Sequence, residues 1–559
     1  MTQTTGAELF VEALSTYGVS HVFGNPGTTE LPVVRALAES DLEYVLGLHE
    51  DVAVGMAAGY ASTRRYHADG DDGVLPLGVA NLHVTPGVAH GLGNLYNASV
   101  TGAPLLVTAG NHGRGFRHEE PILSGDLEAM TDQFTKDSAE VLDVEAIPTM
   151  VRRAVRVALT PPTGPVFLAL PLDVAMATTD ASVEPLGEIP RPGRADPDAT
   201  VRAADRIATA EEPVLVLGDG VARSGRDAVA AAVDFAEAAG ARVHGEILSS
   251  EVDFPGDHEQ WVSHLPPRED IVRTLLDADL IVHAGTSTHT TLTAHEDALQ
   301  NPAADVIAIN DDAWQLGKNV PTDVSLLGDP GAVLADLADL VAERVSDEQR
   351  AERFDRVATV REQVAAVMAP GGETDDPRAS KHRLVEAIEA AAPDAFVVDE
   401  GITSKYVLLS QWDLAPEQYV SNKGGGLGYG LPAALGAALA EGQREDPRDV
   451  IGFVGDGSYL YYPNAMYTAA RYDLDVTVVV PDNRNYRILK DNAASLFDEP
   501  ADDVDLAGVD FEPPVDIPAN AESHGATGEL IDDPDAIEDA VGSAVERDGP
   551  AVLDVLVHD

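Results

Sequence analysis

Val450-Ile451-Gly452-Phe453-Val454-Gly455-Asp456-Gly457-Ser458 and Val476-Thr477-Val478-Val479-Val480-Pro481-Asp482-Asn483-Arg484-Asn485 decide how this chain is read. Each stretch is a short, uninterrupted, largely β-branched run that ends in a polar loop, the pattern of a parallel strand buried on both faces. Between them, Pro463 to Tyr472 reads as a helix. A strand–helix–strand crossover of that length brings the two loops, 27 residues apart, to the carboxyl ends of neighbouring strands. The Asp456 carboxylate and the Asn483 amide oxygen then converge. That pair suits a hard divalent cation such as Mg²⁺, which takes few protein oxygens and fills its octahedron with phosphate and water. Gly455 and Gly457 let backbone N–H groups approach a phosphate, and a helix start favours its charge.

The rest of the chain follows the same alternation. Strand-like runs at 21–23, 44–48, 77–80 and 105–108 alternate with helical patterns at 6–17 and 51–64, and the block ends in Gly164 to Pro171. A Pro-, Gly- and acid-rich stretch, Glu184 to Asp198, reads as a linker. A second block holds apolar runs at 213–218, 280–285 and 306–310. A helical segment follows, broken at Ala369-Pro370-Gly371-Gly372-Glu373 before a third block. The expected fold is α/β, three doubly wound parallel-sheet domains spanning 1–185, 190–345 and 375–559.

Composition narrows the class. The 559 residues include no cysteine, which excludes disulfides and thiolate chemistry. With 36 basic and 95 acidic residues the net charge is −59, and only six of the basic residues are lysines. The acidic residues are spread along the whole chain, and apolar periodicity persists among them, so disorder is not the reading. Adaptation to multimolar salt is, because screening removes the self-repulsion of such a surface. The charge argues against a nucleic-acid partner. No run reaches the roughly 18 apolar residues of a membrane span, and no signal peptide is read at the N-terminus, so a cytoplasmic protein is expected.

The two loops together resemble the binding motif of thiamine diphosphate enzymes, and the three blocks resemble the pyrimidine-binding, central and diphosphate-binding domains of the 2-oxo acid decarboxylase and acetolactate synthase superfamily. The motif ordinarily closes on two asparagines; here Asp482 stands at the first position. The resemblance implies that Asp456, Asn483 and the backbone carbonyl of Asn485 hold Mg²⁺ against the cofactor diphosphate, with Gly455, Gly457 and Ser458 beside it. Glu50, in Gly47-Leu48-His49-Glu50-Asp51-Val52, is similar to the glutamate that hydrogen-bonds the aminopyrimidine ring; a carboxylate at a helix start also has a dipole explanation. In the family that glutamate serves a cofactor on another subunit, implying a homodimer or homotetramer. Thr403 and Ser404 are placed near the cofactor. In Gly424-Gly425-Gly426-Leu427-Gly428-Tyr429-Gly430, the Gly425 carbonyl would accept from the cofactor amino group and Leu427 would hold its bent form. Tyr459 to Tyr462 line a pocket or pack an interface.

Two loops carry the closest likeness, to benzoylformate decarboxylase. Phe23-Gly24-Asn25-Pro26-Gly27-Thr28-Thr29-Glu30 places Thr28 where a substrate-binding hydroxyl is expected; a helix cap by Thr28 or Thr29 is the alternative. Asn81-Leu82-His83-Val84-Thr85 supplies His83 as a general acid/base, apt because imidazole titrates near neutrality. His289 and His295 are both candidates for a second histidine from the central domain. The expected reaction is decarboxylation of a 2-oxo acid to an aldehyde, with an acetolactate synthase-like ligation to a hydroxyketone as the alternative. FAD in the central domain is left open, since no strong dinucleotide fingerprint is present.

Overall fold

The apolar runs of the first block assemble into one parallel sheet, ordered Glu43–Leu46, His21–Gly24, Gly78–Leu82, Leu105–Asn111, Val166–Pro171 and Ser138–Glu140. The structure is a computed structural model describing residues 3–69, 71, 73–368, 375–497, 500–501 and 504–558. Its residues form two units, Met1–Pro190 with Pro377–Thr403 and Asn422–Asp559, and Arg191–Asp376 with Ser404–Ser421.

The first unit holds a second parallel array, ordered Phe396–Glu400, Val450–Val454, Thr477–Asp482, Ala551–Leu556 and Thr527–Ile531. Its first four strands are buried along nearly their whole length, which is why their sequences run apolar rather than alternating. The second unit carries a parallel sheet ordered Trp261–His264, Arg242–Gly245, Pro213–Leu217, Leu280–Ala284, Asp305–Asn310 and Val324–Leu327. Its core is largely Val, Leu, Ile and Ala from these strands and from helices Pro197–Thr209, Arg226–Ala239 and Pro330–Ala342. The three doubly wound α/β sheets are thus as the alternation predicts.

Element ends shift in ways that matter to the site. The helix expected from Asp51 starts at Glu50 and runs to Ala68, with His49 as its cap. The strand expected to end at Ala80 continues to Leu82, so His83 stands at its tip. Asp482, expected in the loop, closes its strand because it continues the ladder opposite Leu556. The crossover helix is Ala465–Arg471, shorter at both ends than expected. The break at 369–373 lies outside the described residues.

Within the first unit, helix Glu50–Ala68 packs along helix Gly430–Glu441. Both are dense in Ala and Gly, which lets the backbones approach closely. One end of the pair is clasped by charge: Glu441 takes His67 Nε2 at 2.9 Å and Arg444 Nη1 at 3.1 Å, with Arg448 Nε also at 3.1 Å. Hydrogen bonds from His67 and Arg448, with the Arg448 charge, hold the Glu441 carboxyl well below the usual carboxylate range even against its burial.

Candidate active site

In a doubly wound sheet, a crevice opens where the strand order reverses, beyond the carboxyl ends of the two central strands. In the first sheet that point lies between His21–Gly24 and Gly78–Leu82. The loops leaving these strands carry Thr28 and His83. His83 Nδ1 lies 2.7 Å from Glu30 Oε2. Glu30 is 1% exposed and fully engaged: its Oε1 accepts from Gly110 N at 2.8 Å and Thr29 Oγ1 at 2.7 Å, and Oε2 also from Gly27 N at 3.1 Å. A Cβ at Gly27 would collide with the imidazole, so that glycine gives the ring its place. Val84, next in sequence, is forced to φ +29°, a strained value for a β-branched residue and the cost of turning His83 outward.

Thr28 is exposed in the turn Thr28–Glu30, while Thr29 is buried. Neither hydroxyl caps a helix. The turn starts on Gly27, whose N–H is taken by the Glu30 carboxylate, a stronger acceptor than a hydroxyl. Glu30 escapes notice in the sequence because an acid three residues into a turn reads as an ordinary capping partner. Only the fold brings it to His83, 53 residues on.

Glu50 opens its helix, 7% exposed. Its Oε2 lies 3.1 Å from His90 Nδ1. Asp51 beside it accepts from Asn94 N at 2.7 Å and Tyr462 Oη at 2.9 Å, and burial nonetheless pushes it up to about 6. The same helix that supplies Asn94 supplies Asn97, whose Nδ2 donates to the Gly426 carbonyl at 2.9 Å. The glycine-rich loop is therefore tied to the start of the Glu50 helix.

That loop has its own anchor, which the sequence reading did not single out. Glu400, buried at the end of strand Phe396–Glu400, accepts from Asn422 Nδ2 at 2.6 Å and from the N–H groups of Gly428, Tyr429 and Gly430 at 3.2, 3.2 and 2.9 Å. Burial raises its carboxyl to about 7 in spite of these donors. Asn422 also donates to the Gly426 carbonyl at 2.7 Å and accepts from Gly425 N at 3.0 Å. Gly425 is exposed and Leu427 half-buried at the bend. Gly428 sits at φ +92° with room for no side chain, since a Cβ would meet the Tyr462 ring at 2.7 Å.

Beyond the neighbouring strands lie the two motif loops. Asp456 Oδ1 accepts from Gly457 N at 2.8 Å, while Oδ2 is buried with no partner. Burial and the adjacent Asp482 carboxylate raise Asp456 to about 8. A third carboxylate, Asp554, is pushed up to about 7 by burial and by Asp482. Asn483 Oδ1 accepts from Asn485 N at 3.2 Å, and Asn485 Oδ1 is another buried oxygen without a donor. Gly455 N meets the Glu400 carbonyl at 3.3 Å, and buried Ser458 directs Oγ to the same carbonyl at 3.4 Å. Oxygens in excess of donors are what a cation site requires. Thr403 Oγ1 accepts from Lys381 Nζ at 3.2 Å. Ser404, buried, opens helix Lys405–Gln411 and belongs to the second unit.

In the second unit, the reversal point lies between Pro213–Leu217 and Leu280–Ala284. Three N–H groups there are already taken by one carboxylate. Glu246 Oε2 accepts from Ser287 N at 2.7 Å and Thr288 N at 2.6 Å, and Oε1 from Asp219 N at 3.2 Å. His289 packs on His283, and burial holds it down to about 3; His295 is exposed.

Three family models match the chain: the N-terminal TPP binding domain of thiamine pyrophosphate enzymes over 4–136, their central domain over 200–337 and their C-terminal TPP binding domain over 402–555. Benzoylformate decarboxylase of Pseudomonas aeruginosa is 30% identical over 553 residues, 97% of each chain. The chain belongs to the thiamine pyrophosphate enzyme family. A probable acetolactate synthase large subunit of Methanocaldococcus jannaschii is 26% identical, over 99% of this chain and 92% of that one. Among solved structures, the thiamine diphosphate-dependent 4-hydroxybenzoylformate decarboxylase of Rhodococcus jostii RHA1 superposes with a TM-score of 0.85, at 29% identity and 99% coverage of both chains. In this thiamine diphosphate-dependent enzyme, the helix that carries Asn94 and Asn97 bonds the glycine-rich loop through the Gly428 and Gly426 carbonyls. Among the described residues no helix is long and apolar enough to cross a membrane.

Proposed function

We propose that this enzyme decarboxylates a 2-oxo acid to an aldehyde, in the manner of benzoylformate decarboxylase. The observation that carries the reading is His83, presented at the crevice of the first sheet and anchored on the buried Glu30. Bound thiamine diphosphate supplies the nucleophilic carbon and the electron sink for cleaving the bond to the carboxylate. Glu50 presents its carboxylate to the aminopyrimidine ring. The hydroxyl of Thr28 receives the substrate carboxylate, and His83 delivers a proton to the carbon that loses CO₂. Glu30 fixes the imidazole ring and tautomer, as a carboxylate behind a catalytic histidine does.

Mg²⁺ fits the oxygen-rich end of the C-terminal sheet. Asp456, with its unpartnered Oδ2, Asn483 and the Asn485 carbonyl would hold it, with Gly455, Gly457 and Ser458 toward the diphosphate and Thr403, Gly425 and Leu427 toward the rest of the cofactor. A homodimer or homotetramer follows from the resemblance, and sedimentation velocity tests it. The central domain, in this proposal, takes no FAD: its reversal-point N–H groups are occupied by Glu246, so a diphosphate would have to displace a buried carboxylate. Purified protein is then colourless. The net charge of −59 makes multimolar KCl the working medium, with loss of the folded state on dilution into low salt.

A second reading, ligation of two carbonyl compounds, is favoured by the full-length likeness to the probable acetolactate synthase large subunit of Methanocaldococcus jannaschii. The deciding experiment incubates the enzyme in KCl, thiamine diphosphate and Mg²⁺ with benzoylformate, pyruvate or branched 2-oxo acids and identifies products by NMR. An aldehyde that disappears in His83→Ala supports the decarboxylase; a hydroxyketone as main product replaces it with the second reading.

A further inference from the structure

One cluster at the Glu50 helix is built for more than a carboxylate. His49, Glu50 and His90 each offer one ligand atom, and these atoms lie within 4.8 Å of one another. From this geometry we infer that His49, Glu50 and His90 form a three-ligand site for a borderline transition-metal ion such as Zn²⁺ or Co²⁺, separate from the oxygen-rich end of the C-terminal sheet. Two imidazoles and a carboxylate with an open fourth position is a donor set that zinc uses, and nitrogen ligands select against Mg²⁺.

The parts are held ready. His49 Nδ1 accepts from Asp51 N at 3.1 Å, which commits that nitrogen and leaves Nε2 to ligate. One side of the His49 ring packs on Tyr462 at 4.9 Å and it also stacks on His90 at 5.1 Å, with rings inclined by only 28° to the latter. Tyr462 is itself fixed by its hydrogen bond to Asp51. Such outer partners orient metal ligands. His90 comes from the end of a different helix, Val84–His90, and its side chain is 56% exposed, so an ion has a way in. The 3.1 Å between Glu50 Oε2 and His90 Nδ1 is already close to the roughly 3.4 Å that separates ligands on tetrahedral zinc with bonds of about 2.1 Å. Closing the site takes a rotation of the His rings rather than a movement of backbone.

The consequence rests on the proposed role of Glu50. A carboxylate whose charge is drawn to the ion is a poorer and displaced acceptor for the aminopyrimidine, so metal and thiamine diphosphate compete for Glu50. The ion acts as a reversible off-switch at the activating glutamate.

The test starts with the full-length protein in KCl, freed of cofactor and metal, and titrated with Co²⁺. The expected result is one equivalent bound per chain with the visible ligand-field absorption of a low-coordinate site. His90→Asn and His49→Asn should each weaken binding at least about tenfold, since each removes one of three ligands. Binding that is weak, colourless and unchanged in both variants is that of the acidic surface and overturns the site. Addition of thiamine diphosphate with Mg²⁺ then examines the consequence separately. Release of Co²⁺ with loss of colour supports the competition. Retention of colour alongside bound cofactor leaves the metal site standing and overturns the competition.

Discussion

Glu50 and Glu400 occupy comparable places in the two halves of the first unit, each near the amino end of one of two packed helices, and they are treated in opposite ways. Glu400 is surrounded by four donors, three of them backbone N–H groups. Glu50 has one side-chain hydrogen-bond partner among the described residues, His90, at the edge of solvent. A buried carboxylate with all its lone pairs engaged shapes the chain around it. One left short of donors is available to a ligand. The same residue type therefore shapes the glycine-rich loop at one place and, in the proposed function, is left for chemistry at the other.

This comparison breaks if the wrong glutamate affects the wrong quantity. Glu50→Gln should lower turnover by about 10²–10⁴ while leaving the thermal midpoint in place, measured by steady-state kinetics and calorimetry. Glu400→Ala strands four donors in a dry site and should cost about 3–5 kcal/mol of folding stability, with weakened cofactor binding following from loop disorder, measured by chemical denaturation. A Glu50→Gln protein that melts early, or a Glu400→Ala protein that melts normally, would reverse the assignments.

Acid titration sharpens the contrast with a smaller effect. Glu441, held low by His67 and Arg448, favours the folded state while ionised. Its contribution, about 2 kcal/mol, is in place above its ordinary value of 4.5 and is lost as pH falls toward the depressed folded value. Glu441→Gln should thus lose most stability at pH 7 and little in strong acid. Glu400 has the other sign. Its folded value, about 7, lies above the ordinary 4.5, so the folded state holds a proton the unfolded chain has released, and stability declines as pH rises between the two. Glu400→Gln should flatten that part of the stability–pH curve, the smallest of these effects, read from denaturation midpoints at stepped pH.

Much of this was legible in the sequence. Uninterrupted β-branched runs such as Val476–Val480 announce buried parallel strands, and helices between them force right-handed crossovers, so three wound sheets follow from local pattern alone. Motif loops are legible for the same reason, because the chain itself carries them to strand ends. Glu30, Glu400 and Asn422 were not. Their partners lie on other strands and loops, tens of residues away in two of these pairings, and among 95 acidic residues nothing local marks a carboxylate as buried. His90 was hidden by the same distance, 40 residues from Glu50. Strand ends at Leu82 and Asp482 were misread by two residues each because ladder pairing, not side-chain polarity, decides where a strand stops.

The crossing of helices Glu50–Ala68 and Gly430–Glu441 has a mechanical meaning. At Gly59 and Gly436 the two backbones fit like notched timbers: a Cβ at Gly59 would strike the Ala433 backbone, and one at Gly436 that of Met56. A joint with no slack cannot slide. It gauges the separation between the carboxylate at one helix's head and the glycine loop at the other's. Loops at the rims of the sheets can then drift in sequence, while the distance between these two helix heads keeps its length.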